Sequence, residues 1–255
     1  MNKHPKIYAV CGKGGVGKTV FTAVMADCLM NRTGTGKLLL IDADPALGLV
    51  NALGADIRNT IGHVRESVLD AAETGSEDDL NEIAGKLDYM IFESIVETDK
   101  YSLLAMGRSE SRGCFCSVNN LLKDAITSLS GEYDTILIDG EAGLEQINRQ
   151  VVEELTDLII LTDGSARGMQ TVRMLENMVN SEKLISCGKI GVVFTRVRNG
   201  GDSIKKISEN LNINVFGYVP EDNAVSEYDI NNIPLTKLSK ANPVYIAVNN
   251  IINVL

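Results

Sequence analysis

The run Gly12-Lys13-Gly14-Gly15-Val16-Gly17-Lys18-Thr19 carries the most specific chemistry in the chain. It fits the pattern G-x-x-x-x-G-K-[ST]. Gly12, Gly14, Gly15 and Gly17, with Val16 among them, form a loop whose backbone N–H groups can turn inward and cradle phosphate oxygens. A helix opening at Lys18 adds the positive end of its dipole. Lys18 is then placed to reach the β- and γ-phosphates of a nucleoside triphosphate, and the Thr19 hydroxyl to bind Mg2+. Lys13 is a second lysine that such a loop does not require.

Two acidic sites and one thiol pair follow. Asp42 and Asp44 close the apolar run Leu38-Leu39-Leu40-Ile41, and Asp139 closes Thr135-Ile136-Leu137-Ile138 and precedes Gly140. Carboxylates at strand ends face the ligand crevice of an α/β sheet. None needs to be a strong base, because phosphoryl transfer is mostly positioning and charge stabilisation. Cys114-Phe115-Cys116 brings two thiols close enough to chelate a soft or borderline metal. Two ligands do not close a tetrahedral site, and the chain has only two histidines, His4 and His63. A twofold dimer with this motif at its axis would supply four sulfurs. An incidental pair and a vicinal redox pair are the alternatives. Cys11, Cys28 and Cys187 sit in apolar surroundings and read as buried free thiols.

The elements that must hold these residues alternate. Ile7–Cys11, Lys37–Asp42, Thr135–Asp139, Leu158–Thr162, Ile190–Thr195 and Val215–Val219 read as buried parallel strands. Lys18–Met30, Leu144–Leu155, Gly168–Val179, Ser203–Leu211 and Pro243–Val254 read as helices. The expected fold is a doubly wound α/β domain, with a mostly parallel sheet and helices on both faces, over residues 1–255. Residues 56–133 interrupt the alternation and form an insertion-like segment that carries the Cys-x-Cys. Within it, Thr60–Glu73 reads as a helix, and another helix follows from about Ser117 to Leu129. Tyr89–Ile95 and Tyr101–Met106 read as two edge strands. Residues 73–99 hold nine acidic side chains and one Lys, expected on a solvated face.

Composition narrows the class. The 255 residues include 24 Lys+Arg against 34 Asp+Glu, a formal net charge of -10, and this disfavours a nucleic-acid partner. No apolar run approaches the roughly 20 residues that span a bilayer, so no membrane role is expected and the cytoplasm is the expected compartment. An odd count of five cysteines is a poor disulfide framework.

The stretch K-G-G-V-G-K-T resembles the deviant Walker A ATPases, which include nitrogenase iron protein and the septum-site and plasmid-partition ATPases. The resemblance implies that ATP and ADP bind with Mg2+, and that Lys13 reaches the partner's phosphates in a nucleotide-sandwich homodimer. It also implies that Lys13, Lys18 and Asp44 are catalytic, with Asp44 positioning water. Thr19, Asp42 and Asp139 become the Mg2+ side, Asp139 through water, with the Gly140 N–H near the γ-phosphate. Thr195 stands where the class often has the Asn that reads adenine, and Val219-Pro220-Glu221-Asp222 resembles the other wall of the base site. Thr195, Pro220 and Glu221 are therefore the expected base contacts.

A narrower resemblance rests on Met106-Gly107-Arg108, Gly113-Cys114-Phe115-Cys116, Asn119-Asn120-Leu121-Leu122-Lys123, Asp139-Gly140-Glu141-Ala142-Gly143-Leu144-Glu145 and Val197-Arg198-Asn199. These look like the nickel-insertion ATPases of the CooC type, which mature carbon monoxide dehydrogenase. That implies Ni2+ or Zn2+ held by Cys114 and Cys116 at a dimer interface, and a client nickel enzyme. Ala46-Leu47 departs from relatives that carry a further Asp after Asp44-Pro45. The rival readings are an iron–sulfur electron-transfer protein of the nitrogenase iron protein type and a spatial-organisation ATPase. The tail Ala241–Leu255, which has no Lys or Arg, disfavours the latter as a membrane binder.

Overall fold

Leu38–Asp42 and Thr135–Asp139 are buried at every position, and that is why their apolar residues run consecutively instead of alternating with polar ones. The computed structural model describes residues 4–74, 77–108, 126–140, 154–180, 186–198, 202–209 and 211–255. Cys114 and Cys116 lie outside the described residues. So do the expected helix at 144–153 and most of the expected helix at 117–129; residues 126–130 are helical.

In chain order the strands are β1 (Lys6–Gly12), β2 (Leu38–Asp42), β3 (Ile95–Glu97), β4 (Ser102–Ala105), β5 (Thr135–Asp139), β6 (Glu154–Thr162), β7 (Ser186–Val197) and β8 (Asn214–Pro220). They form one sheet in the order β3-β4-β2-β5-β1-β6-β7-β8. Every pairing is parallel except β3 with β4. The helices that the argument uses are α1 (Lys18–Met30), α2 (Gly48–Leu53), α3 (Ile61–Thr74), α4 (Glu77–Glu93), α5 (Ala166–Asn180), α6 (Asp202–Glu209), α7 (Asn223–Ile230) and α8 (Pro243–Ile252).

Neighbouring residues of one strand enter opposite cores, as the two-residue side-chain period requires. Leu39, Ile41, Ile136 and Ile138 pack with α3, α4 and α5 through Val64, Ile91 and Val172. Leu40, Val10 and Leu137 pack with α1 and α8 through Phe21, Met25 and Val248. Side chains of this kind, fully buried, contribute about 1.5–3 kcal/mol each. β1 lies between β5 and β6, where the winding reverses, so the loop after β1 opens into the crevice at the carboxyl ends of the strands.

The doubly wound α/β expectation agrees with this sheet, and three local expectations are corrected. Tyr89–Ile95 is not a strand, because α4 runs on to Glu93. Leu87 and Ile91 are buried four residues apart while Tyr89 and Phe92 are exposed, a helical stripe inside a strand-like composition. Tyr101–Met106 contains a strand, but β4 lies between β2 and β3, so the edge on this side is the three-residue β3. Glu154 and Leu155, expected to end a helix, begin β6. The acidic run meets expectation where it is described: Asp88, Glu93, Glu97 and Asp99 are exposed.

Candidate functional site

The loop between β1 and α1 is shaped by positions that only glycine fills easily. A side chain at Gly12 would place its Cβ 2.3 Å from the Leu161 carbonyl oxygen of β6. Gly15 and Gly17 have φ of +79° and +91°, and a Cβ at Gly14, Gly15 or Gly17 would meet nothing within 4 Å. The loop therefore borders open space at the N-terminus of α1, whose first-turn N–H groups have no intrahelical acceptor. A phosphate group fits such a cradle.

Asp139 is the acidic centre beside it. The residue is 1% exposed, and both its oxygens are bonded to α1. Thr19 Oγ1 donates to Oδ2 at 2.9 Å and Thr22 Oγ1 donates to Oδ1 at 2.8 Å. Burial pushes its carboxyl up to about 7, with nearby Asp42 adding to the shift and the threonine bonds opposing it. Neighbouring oxygen ligands of an octahedral Mg2+ at about 2.1 Å sit about 3 Å apart. Thr19 and Asp139 have that spacing and that hard-oxygen chemistry, so they fit the ion.

Asp42 pairs in register with Asp139 across β2 and β5. Its oxygens also hold the turn that follows: Oδ1 accepts from the Asp44 N–H and Oδ2 from the Val50 N–H, each at 3.1 Å. Burial raises its carboxyl to about 6. Asp44 is half-buried, and its Oδ1 accepts from the Ala46 N–H at 2.9 Å. The chain then passes through Leu47, a non-glycine residue at φ +58°, into α2. This turn brings Gly48 so near the site that a Cβ there would lie 3.1 Å from Thr19 Oγ1.

Lys13 has a partner that its spacing did not suggest. Its Nζ lies 3.5 Å from Asp163 Oδ2, just past the end of β6, and both side chains are about one-third exposed. Asp163 Oδ1 accepts from the Ser165 backbone and hydroxyl, at 3.0 and 2.6 Å. These bonds and Lys13 together hold the Asp163 carboxyl below its ordinary value against desolvation.

A cavity of about 260 Å3 adjoins the phosphate loop and shares Val16 and Gly17 with it. Thr195, Arg196, Pro220 and Glu221 line its other side, so the three residues expected at the base do come together. Two of them are otherwise engaged. Glu221 is clasped by Arg198, with Nε to Oε2 at 2.7 Å. The Thr195 hydroxyl donates to the Val16 carbonyl at 2.8 Å.

The strand exits are tied side by side. The Gly140 N–H donates to the Val10 carbonyl, the Ala43 N–H to that of Asp139, and the Met106 N–H to that of Asp42, at 2.8–3.0 Å. Beyond Met106, the chain is seated against α3. The Gly62 N–H donates to the Met106 carbonyl at 2.8 Å. A Cβ at Gly62 would lie 2.5 Å from the Arg108 carbonyl oxygen, and one at Gly107 (φ +65°) 2.5 Å from Thr60 Oγ1.

Residues 7–235 match the family described as CbiA, the CobQ/CobB/MinD/ParA nucleotide binding domain. The chain belongs to this family. One relative is an ATP-binding protein, named as uncharacterized, from Methanocaldococcus jannaschii; it is 38% identical over 249 residues, 96% of each chain. Another is the carbon monoxide dehydrogenase accessory protein CooC of Rhodospirillum rubrum, 26% identical over 91% of this chain and 90% of its own. The solved MinD of Pyrococcus horikoshii, complexed with Mg-ADP, superposes with a TM-score of 0.67 at 21% identity. It covers 97% of this chain and 94% of that one, and shares the fold.

The CbiA-family site also contains residues that motif reading passed over. Thr22 looks like an ordinary mid-helix threonine, and Asp163 like a turn former after a strand. Gly48 signals itself only as a glycine soon after Asp44-Pro45. Of the remaining thiols, Cys11 and Cys28 are buried as expected, whereas Cys187, near the start of β7, is only half-buried. Burial raises Cys11 to about 12, and Cys28 and Cys187 to about 11. Among the described residues no cluster of three or more His, Cys, Asp or Glu could hold a metal ion. No helix among them is long and apolar enough to cross a membrane.

Proposed function

We propose that this CbiA-family protein is an ATPase that works as a nucleotide-controlled dimer and helps insert nickel into carbon monoxide dehydrogenase or a related nickel enzyme. The observation that carries the ATPase part is the open glycine cradle set beside the Thr19–Asp139 pair. Thr19 and Asp139 would hold Mg2+, which neutralises phosphate charge as water attacks the γ-phosphorus and ADP leaves. Lys18 adds positive charge at the β- and γ-phosphates. Asp44 orients the attacking water, while Asp42 is the carboxylate on the Mg2+ side and also holds the turn that carries Asp44. Gly12, Gly14, Gly15, Val16 and Gly17 form the phosphate cradle, and Pro220 and Glu221 wall the base cavity. Lys13 exchanges Asp163 for the partner subunit's phosphates when the dimer closes.

The nickel part is supported by the Cys114-x-Cys116 motif with its flanking sequence and by the CooC relative. Four thiolates from two subunits would bind Ni2+ or Zn2+, with ATP setting their geometry. The test is metal titration with gel filtration, with and without ATP, on wild type and on Cys114→Ser/Cys116→Ser. Loss of one metal per dimer in the double variant is the expected result, and unchanged Ni2+ affinity would sink the metal role. The second reading is an iron–sulfur electron-transfer protein. Anaerobic purification separates the two: a brown, iron-containing dimer would replace the nickel reading.

A further inference from the structure

Thr195 was expected to contact the base, but its hydroxyl is bonded to the phosphate loop. The residue is 5% exposed at the end of the regular part of β7. Its Oγ1 lies 2.8 Å from the Val16 carbonyl and 3.4 Å from that of Thr162, the last residue of β6. The next residue, Arg196, has φ +55°, and the β7–β8 register shifts between Phe194 and Val197. Regular pairing thus stops just past the point where the hydroxyl reaches the loop.

The Val16 carbonyl and the Gly17 N–H belong to one peptide unit, which is planar and trans. In such a unit the two groups point in opposite directions. A donor that holds the carbonyl on the β7 side therefore turns the Gly17 N–H to the opposite side, toward the cradle. Gly17 cannot enforce this itself, because glycine adopts positive and negative φ about equally readily. The Val16 side chain is 2% exposed and anchors one flank of the peptide, so the free rotation is on the glycine flank.

We infer that Thr195 is a positioning residue for phosphate binding: by fixing the Val16–Gly17 peptide it aims the Gly17 N–H at the phosphates, and it does not read the base. The inference rests on the nucleotide reading of this loop and is independent of the nickel reading.

The experiment measures ADP, ATP and GTP affinities, kcat and KM for wild type, Thr195→Val and Thr195→Ser, and follows the Gly17 amide of 15N-labelled wild type on addition of Mg-ADP. Valine keeps the shape and removes the hydroxyl; serine restores it. Thr195→Val is expected to weaken ADP and ATP about tenfold, raise KM more than it lowers kcat, and leave the ATP:GTP ratio unchanged. Thr195→Ser is expected to recover most of the affinity, and the Gly17 amide proton to move downfield with Mg-ADP. Unchanged ADP affinity in Thr195→Val overturns the inference, as does a shifted ATP:GTP ratio or a loss that serine does not rescue. A Gly17 amide indifferent to Mg-ADP overturns it even if the valine variant does not fold. Wild type that bound no ADP would overturn the nucleotide reading along with the inference.

Discussion

Asp139 and Asp157 are both buried aspartates, each 1% exposed, on the two strands that flank β1. Asp139 ends β5 at the carboxyl edge of the sheet, and each of its oxygens accepts a threonine hydroxyl. Asp157 lies near the start of β6, opposite Tyr8 and Lys189, and among the described residues neither of its oxygens has a hydrogen-bond partner. Burial raises both carboxyls. The same residue type thus marks a built site at one end of the sheet and, at the other, a burial cost that the charges of Lys189 and Lys6 only partly offset. The hydrogen bonds, and not the burial, tell them apart.

Substitution at each position should split activity from stability. Asp139→Asn is expected to lower the rate of ATP hydrolysis roughly 100-fold or more with little change in melting temperature. Phosphate release and thermal melts would measure the two, and full activity in the variant would end the role assigned to this carboxylate. Thr22→Val leaves Asp139 Oδ1 without its 2.8 Å donor. An unsatisfied buried acceptor costs about 1–3 kcal/mol. Hydrolysis is expected to fall about tenfold, and an unaffected rate would show that Thr19 alone suffices.

Asp157→Asn is the opposite case. The folded chain holds the carboxyl above its ordinary value of 3.8. It therefore retains a proton that the unfolded chain has released, and stability falls as pH rises through that window. Removing the charge is expected to stabilise the protein at pH 7. The gain should shrink as the pH approaches 4, with hydrolysis unchanged throughout. Denaturant melts at several pH values would check this, and a gain that did not depend on pH would refute it.

The smallest effect is expected at a half-buried carboxylate on the working edge. Asp163→Ala frees Lys13 from a pair that is one-third exposed and worth at most about 1 kcal/mol. ATP-dependent dimerisation is expected at a few-fold lower ATP concentration, read by gel filtration. A higher requirement would mean that Asp163 assists Lys13 in the dimer instead of competing for it.

Much of this contrast was legible in the sequence on one side only. The phosphate loop, β2, β5 and the aspartates at their ends follow from apolar runs that stop at charge, because strands buried on both faces leave no ambiguity of period. Tyr89–Ile95 misled for the opposite reason. Aromatic and β-branched residues favour strands, and only the packing of Leu87 and Ile91 reveals the helix. Thr22, Asp163 and the direction of the Thr195 hydroxyl were not legible. Each depends on a partner 117 to 179 residues away in the chain, and no local pattern encodes such a meeting.

The seat made by Thr60, Gly62 and Gly107 has a mechanical consequence. There is no room for even a methyl group at Gly62 or Gly107. The Met106 carbonyl accepts from Gly62 while the Met106 N–H donates to the Asp42 carbonyl, so one residue joins the start of α3 to the end of β2. Any push on α3 is therefore passed, without slack, to the strand end that carries Asp42.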